Sequence, residues 1–100
     1  MTAISSQKTV VLLHGGPGLS GYLDSLETAL AARFRVVSYV QRGRTISELV
    51  DQLAKVVSEC RMRDGASPTF VGHSWGASLA LFYASRFSVM PKQLPEKIFL

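Results

Sequence analysis

The feature that most constrains the fold is a run of apolar residues with no polar residue between them. The segment TVVLL, residues 9–13, is continuous in β-branched and leucine side chains. A strand with one face in water alternates apolar and polar residues, so an unbroken run indicates burial on both faces, as in a parallel sheet between helices. The segments FRVVSYV, TFVG and KIFL, residues 34–40, 69–72 and 97–100, are also predicted to be strands. The sequence therefore predicts four strands of a mostly parallel sheet.

The segments between these strands are predicted to be helices. Apolar residues recur at helical spacing from Ser20 to about Ala32, and residues 75–87 are rich in small and apolar side chains. The segment TISE, from Thr45 to Glu48, matches a capping box at the start of the helix between them. Alternating strands and helices predict a single α/β domain over residues 1–100, with three layers and helices on both faces of the sheet.

The composition excludes several classes of protein. The net charge is +4, but the basic residues are spread along the chain and form no stripe interleaved with aromatic residues, so we expect no nucleic-acid partner. A single cysteine cannot form an internal disulfide, which favours a reducing compartment. The N-terminus lacks the pattern of a signal peptide, and no apolar run is long enough to span a membrane. We expect a cytoplasmic protein with no membrane partner.

The segment GHSWG, residues 72–76, carries the first candidate for chemistry. A serine nucleophile must stand clear of the sheet, and a sharp turn from strand to helix achieves this by straining the serine backbone. The residues two before and two after must be small, and Gly72 and Gly76 satisfy that requirement. We therefore expect Ser74 to be the nucleophile. The alternative is an ordinary serine N-cap at the start of a helix.

The segment HGGPG, residues 14–18, follows the first strand and carries the second candidate. Acyl transfer requires two backbone N–H donors aimed at the developing oxyanion. We expect one from Trp75, which follows the serine, and one from Gly16, because Pro17 has no N–H. A phosphate cradle is the alternative ligand site, but neither of the usual glycine-rich phosphate motifs occurs, and a plain turn also stays open. We expect no cofactor and no metal.

Together, VVLLHGGPG and TFVGHSWGASLALFYA resemble the α/β-hydrolase fold superfamily, and they are most similar to its proline iminopeptidase and esterase-like branch. The resemblance implies a partial α/β-hydrolase core with the strand order second, first, third, fourth. It also implies hydrolysis of a small-molecule ester or of the N-terminal peptide bond of a peptide, through an acyl-serine. The segment VVSYVQRGR resembles that branch's Asp-Gln-Arg-Gly turn, with Val40 in place of the Asp.

The same resemblance implies a role in binding substrate or shaping the site for His14, Gly15, Pro17, His73 and Arg42. In the family, the histidine of such a loop is structural rather than the general base. A role of His14 as a substitute base stays open as an alternative. The side chain of His73 is expected to diverge from its neighbour Ser74, and Arg42 could equally be a turn residue that ties loops together.

The triad of the family runs in the order serine, acid, histidine. The sequence after Ser74 contains one acidic residue, Glu96, and no histidine. The chain therefore resembles only the N-terminal half of a hydrolase, truncated after the fourth strand, and we expect it to be weakly active or inactive by itself. The alternative is a non-catalytic remnant that binds a small acyl ligand or a complementing protein chain. An open sheet edge would also permit self-association.

Overall fold

A computed structural model describes residues 8–15 and 23–100 of the chain. Its sheet has four strands in the order β2-β1-β3-β4, and every pair of neighbours is parallel. The strands are β1 (Thr9–Leu13), β2 (Arg35–Ser38), β3 (Thr69–Gly72) and β4 (Ile98–Phe99). The predicted fold class and strand order are both confirmed.

The central strand β1 determines where a site can form. It pairs with β2 on one side and with β3 on the other. The connection from β1 to β2 therefore runs to one side of β1, and the connection from β2 to β3 crosses to its other side. Loops that leave such a pair of strands diverge and open a crevice at the carboxyl edge of the sheet. His14, directly after β1, and Ser74, shortly after β3, therefore border this crevice.

The described part of the chain has three α-helices, α1 (Asp24–Ala31), α2 (Ile46–Asp64) and α3 (Trp75–Arg86), and a short 3-10 helix, Pro91–Gln93. The predicted capping box of α2 is present, because the Thr45 side chain accepts from the backbone N–H of Glu48 and the Glu48 side chain accepts from that of Thr45. Gly65 ends α2 in the left-handed conformation, at φ 72°.

The main core lies between the sheet and the pair α2 and α3. It contains the fully buried residues Val11, Leu13 and Phe70 from the sheet. Tyr83 of α3 packs edge-on against Phe70 at 5.4 Å between ring centroids. Its hydroxyl donates to the Gln93 carbonyl at 2.6 Å, and burial raises the pKa of Tyr83 to about 12. Cys60 lies in the same core, and burial raises the pKa of its thiol.

Among the described residues, fewer side chains cover the opposite face of the sheet. Helix α1 has no fully buried residue, and Leu26 is 39% exposed. A groove of about 390 Å³ lies beside it, with Val10, Val71 and Phe99 among its lining residues. The apolar spacing correctly predicted a helix here, although residues 20–22 of the predicted helix lie outside the described residues. Helical spacing shows which side chains share a face but not how closely that face is packed.

Two smaller expectations are corrected. Apolar residues at steps of three and four predict one apolar face for α2 that starts at Ile46, but Ile46, the first residue of the helix, is 46% exposed. The second strand was expected over residues 34–40, but its pairing with β1 extends only from Arg35 to Ser38. In the described ranges, no helix combines the length and apolar character needed to cross a bilayer.

Candidate active site

Ser74 occupies a strained turn between β3 and α3. Its backbone has φ 56° and ψ −118°, and it is the one non-glycine residue with positive φ in the described parts of the chain. A side chain at such angles meets its own backbone, which costs on the order of 1–3 kcal/mol. The strain predicted for this serine is thus observed. The side chain is exposed, as a nucleophile requires, and it makes no capping hydrogen bond to α3.

The flanking glycines permit the close packing that holds this turn. A Cβ on Gly72 would lie 2.7 Å from the carbonyl oxygen of Gly76, which is closer than real Cβ atoms approach. A Cβ on Gly76 would collide with the carbonyl group of Leu13 at the end of β1. The requirement for small residues on both sides of Ser74 is confirmed. Gly76 also brings α3 directly against β1, so the two chemistry-bearing segments lie side by side.

His14, at the carboxyl end of β1, is buried, with 5% of its surface exposed. Its Nδ1 lies 3.1 Å from the carbonyl oxygen of Gly15. Its Nε2 lies 3.4 Å from the backbone nitrogen of Gln41, which donates to it. A neutral ring that donates from Nδ1 and accepts at Nε2 satisfies both contacts. Since both ring nitrogens are engaged, this arrangement favours the site-shaping role for His14 over the alternative of a substitute base.

Gln41 is the residue that sequence reasoning missed. It is 6% exposed and follows β2, where the sequence suggested only a turn. Its side-chain NH₂ donates to the carbonyl of His14 at 2.9 Å, and its side-chain oxygen accepts from the indole Nε1–H of Trp75 at 2.9 Å. A polar residue just past the end of a parallel strand was the available signal, because carboxyl ends of neighbouring strands share one edge of the sheet.

Trp75 is the first residue of α3. The first N–H groups of a helix have no acceptor within the helix, so the Trp75 N–H belongs to a donor set suited to an anion. The indole ring is tilted against Phe82, with 6.1 Å between the centroids. Trp75 therefore contributes both its backbone N–H and its indole ring next to the exposed Ser74.

The remaining predicted residues divide into two groups. Gly16 and Pro17 lie outside the described residues, so the second oxyanion donor stays a prediction. Gly15 is buried at the end of β1, whereas His73 is exposed and donates its backbone N–H to the Leu13 carbonyl at 3.1 Å. Arg42 is exposed, and its backbone N–H donates to the side chain of Gln52. That contact matches the turn role of Arg42 and leaves its site-shaping role a prediction.

Three carboxylates of the described residues lie in ion pairs with cationic side chains. Asp51 pairs with Arg86. Asp64 pairs with Arg63 and Arg35. Glu96 pairs with Lys8 at 3.4 Å. No group of three or more His, Cys, Asp or Glu that could hold a metal ion occurs in the part of the chain that the structure describes.

Comparison with known proteins agrees with this geometry. A model of the alpha/beta hydrolase family matches residues 10–98, so the chain belongs to that family. A proline iminopeptidase of Xanthomonas citri is 38% identical over 87% of this chain, and the chain spans 31% of that relative's length. Among solved structures, MGS-M2, an alpha/beta hydrolase enzyme from a Medee basin deep-sea metagenome library, matches 98% of this chain with a TM-score of 0.67. That match covers 38% of MGS-M2 at 18% identity, so it supports the fold alone.

Proposed function

We propose that the chain carries the nucleophile half of a serine hydrolase, acting on an ester or on the N-terminal peptide bond of a peptide. The observation that carries the proposal is the backbone of Ser74, at φ 56° and ψ −118° between β3 and α3. A protein does not hold a serine at such angles for packing alone, because the strain has to be offset by the rest of the structure. The proline iminopeptidase relative supports the substrate class.

In the proposed reaction, the Ser74 oxygen attacks the carbonyl carbon while its proton passes to a general base. The carbonyl oxygen becomes an oxyanion that accepts hydrogen bonds from the backbone N–H groups of Trp75 and Gly16. Collapse of this intermediate expels the alcohol or amine and leaves the acyl group on Ser74, from which water releases it. Oxyanion donors of this kind contribute roughly 10²–10³ in rate.

The general base is the missing part. The sequence after Ser74 has no histidine, and both ring nitrogens of His14 have partners. A serine hydroxyl without a base is a poor nucleophile at neutral pH. The oxyanion donors and binding alone sustain at most about 10³–10⁴ over the reaction in water. We therefore expect this 100-residue chain to be weakly active or inactive by itself.

Covalent labelling tests the proposal. The chain, Ser74→Ala and Ser78→Ala are incubated with a fluorophosphonate probe and followed by intact mass. Ser78 lies one turn further along α3 and is also exposed, so it is the matched control. We expect one slow adduct in the unmutated chain and in Ser78→Ala, and none in Ser74→Ala. Labelling that persists in Ser74→Ala, or none in a folded chain even with added imidazole as the base, would refute Ser74 as the nucleophile.

The second candidate function is a non-catalytic remnant that binds a small acyl ligand or a complementing chain. The lack of an available general base favours it, because no histidine follows Ser74 in the sequence and both ring nitrogens of His14 have partners. The exposed Phe99 of β4, at 57%, is a surface for a complementing chain or a second copy. A concentration-dependent mass in sedimentation, lost in Phe99→Ser, together with no labelling of Ser74, would favour this candidate.

A further inference from the structure

We propose that Gln41 is a positioning residue that fixes the end of β1, at His14, relative to the start of α3, at Trp75. The inference rests on the proposed function, since the backbone N–H of Trp75 is proposed there as an oxyanion donor. These two segments are distant in sequence, and Gln41 is bonded to both.

The contacts use both the donor group and the acceptor group of a primary amide. The side-chain NH₂ donates to the His14 carbonyl, and the side-chain oxygen accepts from the Trp75 indole, each at 2.9 Å. The backbone N–H adds a third bond, to Nε2 of the His14 ring, at 3.4 Å. An ionised glutamate of the same length could only accept, at both of its oxygens. The amide therefore sets the direction as well as the distance of the link.

Burial makes this link consequential. Gln41 is 6% exposed and His14 is 5% exposed, so water cannot replace a lost bond at little cost. An error of about 1 Å in the placement of a catalytic donor can reduce a rate about 100-fold. A residue that locks both segments thus acts on the reaction without touching the substrate.

Neutrality is the second reason for an amide at this position. A glutamate at position 41 would still accept from the Trp75 indole, but it could not donate to the His14 carbonyl. It would also place a negative charge at a buried position, where an unpaired charge is costly. Gln41→Leu removes both side-chain contacts, whereas Gln41→Glu removes only the contact with the His14 carbonyl. Comparing the two variants therefore separates the contacts.

The test uses the single tryptophan of the chain, whose indole gives one Nε1–H resonance in a ¹H–¹⁵N spectrum. The chain is compared with Gln41→Leu, Gln41→Glu and Gln52→Leu. Gln52 is the matched control, because its side chain bonds Val40 and Arg42 on the other side of the same loop.

In Gln41→Leu we expect the indole resonance to move upfield and its hydrogen exchange to accelerate about tenfold. The backbone amides of Trp75 and Gly15 should move as well, the latter because it shares a peptide group with the His14 carbonyl. Gln41→Glu should retain the indole bond and move only the Gly15 side. Gln52→Leu should leave all three signals in place.

Equal changes in Gln41→Leu and Gln52→Leu would overturn the proposal, because the effect would then belong to the loop. A shift confined to the indole, with both backbone amides unmoved, would overturn it too, since Gln41 would then not position the two segments. If Gln41→Leu fails to fold, Gln41→Glu decides the matter through the Gly15 amide. These signals do not depend on labelling, so failure of Ser74 to label would refute the proposed function without changing this result.

Discussion

The sheet has an amino edge, where its parallel strands begin, and a carboxyl edge, where they end. The two are stabilised in different ways. At the amino edge, Asp64 lies among Arg63, Arg35 and Thr9, and its side chain is 20% exposed. At the carboxyl edge, a neutral glutamine connects His14 to Trp75, and the adjacent serine is strained.

The difference between the edges has a functional meaning. Opposite charges at the amino edge compensate each other and lower the free energy of the folded chain. The carboxyl edge carries backbone strain, and its hydrogen-bonding groups are neutral, so no side-chain anion competes for the N–H groups proposed to receive an oxyanion. We infer that the amino edge stabilises the fold, whereas the carboxyl edge is arranged for chemistry at a cost in stability.

The largest expected effect comes from Gly76→Ala. A Cβ there would collide with the Leu13 carbonyl, so α3 would have to move away from β1. We expect a loss of at least about 3 kcal/mol in the free energy of unfolding, measured by urea denaturation. The matched control at the amino edge is Gly65→Ala, which meets no atom within 4 Å but has φ 72°. It should cost only about 1–2 kcal/mol. Equal losses would mean that close packing does not build the carboxyl edge.

Asp64→Asn tests the amino edge. The hydrogen bond from Arg63 is the largest cause that holds the pKa of Asp64 below its usual value, and the Thr9 hydroxyl contributes as well. We expect the substitution to cost about 1–2 kcal/mol at pH 7. Because the folded pKa is the lower one, this stabilisation is complete above the unfolded pKa of about 3.9 and is lost as the pH falls through the folded pKa.

Denaturation midpoints at neutral and acid pH measure this effect. The difference between the chain and Asp64→Asn should shrink below pH about 4. Asp51→Asn is the control, since Asp51 pairs with Arg86 but its side chain is 69% exposed. An exposed pair contributes at most about 1 kcal/mol. A difference that stays constant down to the lowest pH would show that charge is not what stabilises the amino edge.

The smallest expected effect is a gain, in Ser74→Gly. Glycine adopts φ 56° and ψ −118° without the clash that a side chain meets, whereas Ser74→Ala keeps it. We expect Ser74→Gly to be more stable than Ser74→Ala by about 1 kcal/mol, as measured by thermal midpoints. At a relaxed position the order is reversed, because glycine loses more entropy on folding. A Ser74→Gly variant that is less stable than Ser74→Ala would contradict the strain.

Much of the fold could be predicted from the sequence, because its signals are local. The run Thr9–Leu13 specified a strand buried on both faces, and the capping box at Thr45 specified where α2 begins. The end of β2 could not be predicted, since pairing with β1 rather than apolar character stops it at Ser38. The open face beside α1 depends on packing between distant segments, which helical spacing does not describe.

The candidate site divides along the same line. The five consecutive residues GHSWG, with glycines on both sides of Ser74, predicted a strained turn, and the structure contains that turn. Gln41 gave no such signal, because its importance comes from meeting His14 and Trp75, which are remote in sequence. A sequence pattern identifies residues that belong to a motif. A residue such as Gln41, which connects two motifs, is identified only in the structure, where the fold brings it next to both.

The central claim is that the carboxyl edge presents a nucleophile whose base is missing, and chemical rescue tests it most directly. The rate of fluorophosphonate labelling is measured by intact mass at pH about 8, where added imidazole is largely neutral. The account predicts that labelling accelerates in proportion to imidazole in the unmutated chain and in Ser78→Ala, with no adduct in Ser74→Ala. Labelling that is already fast without imidazole, or that imidazole accelerates equally in Ser74→Ala, would contradict it.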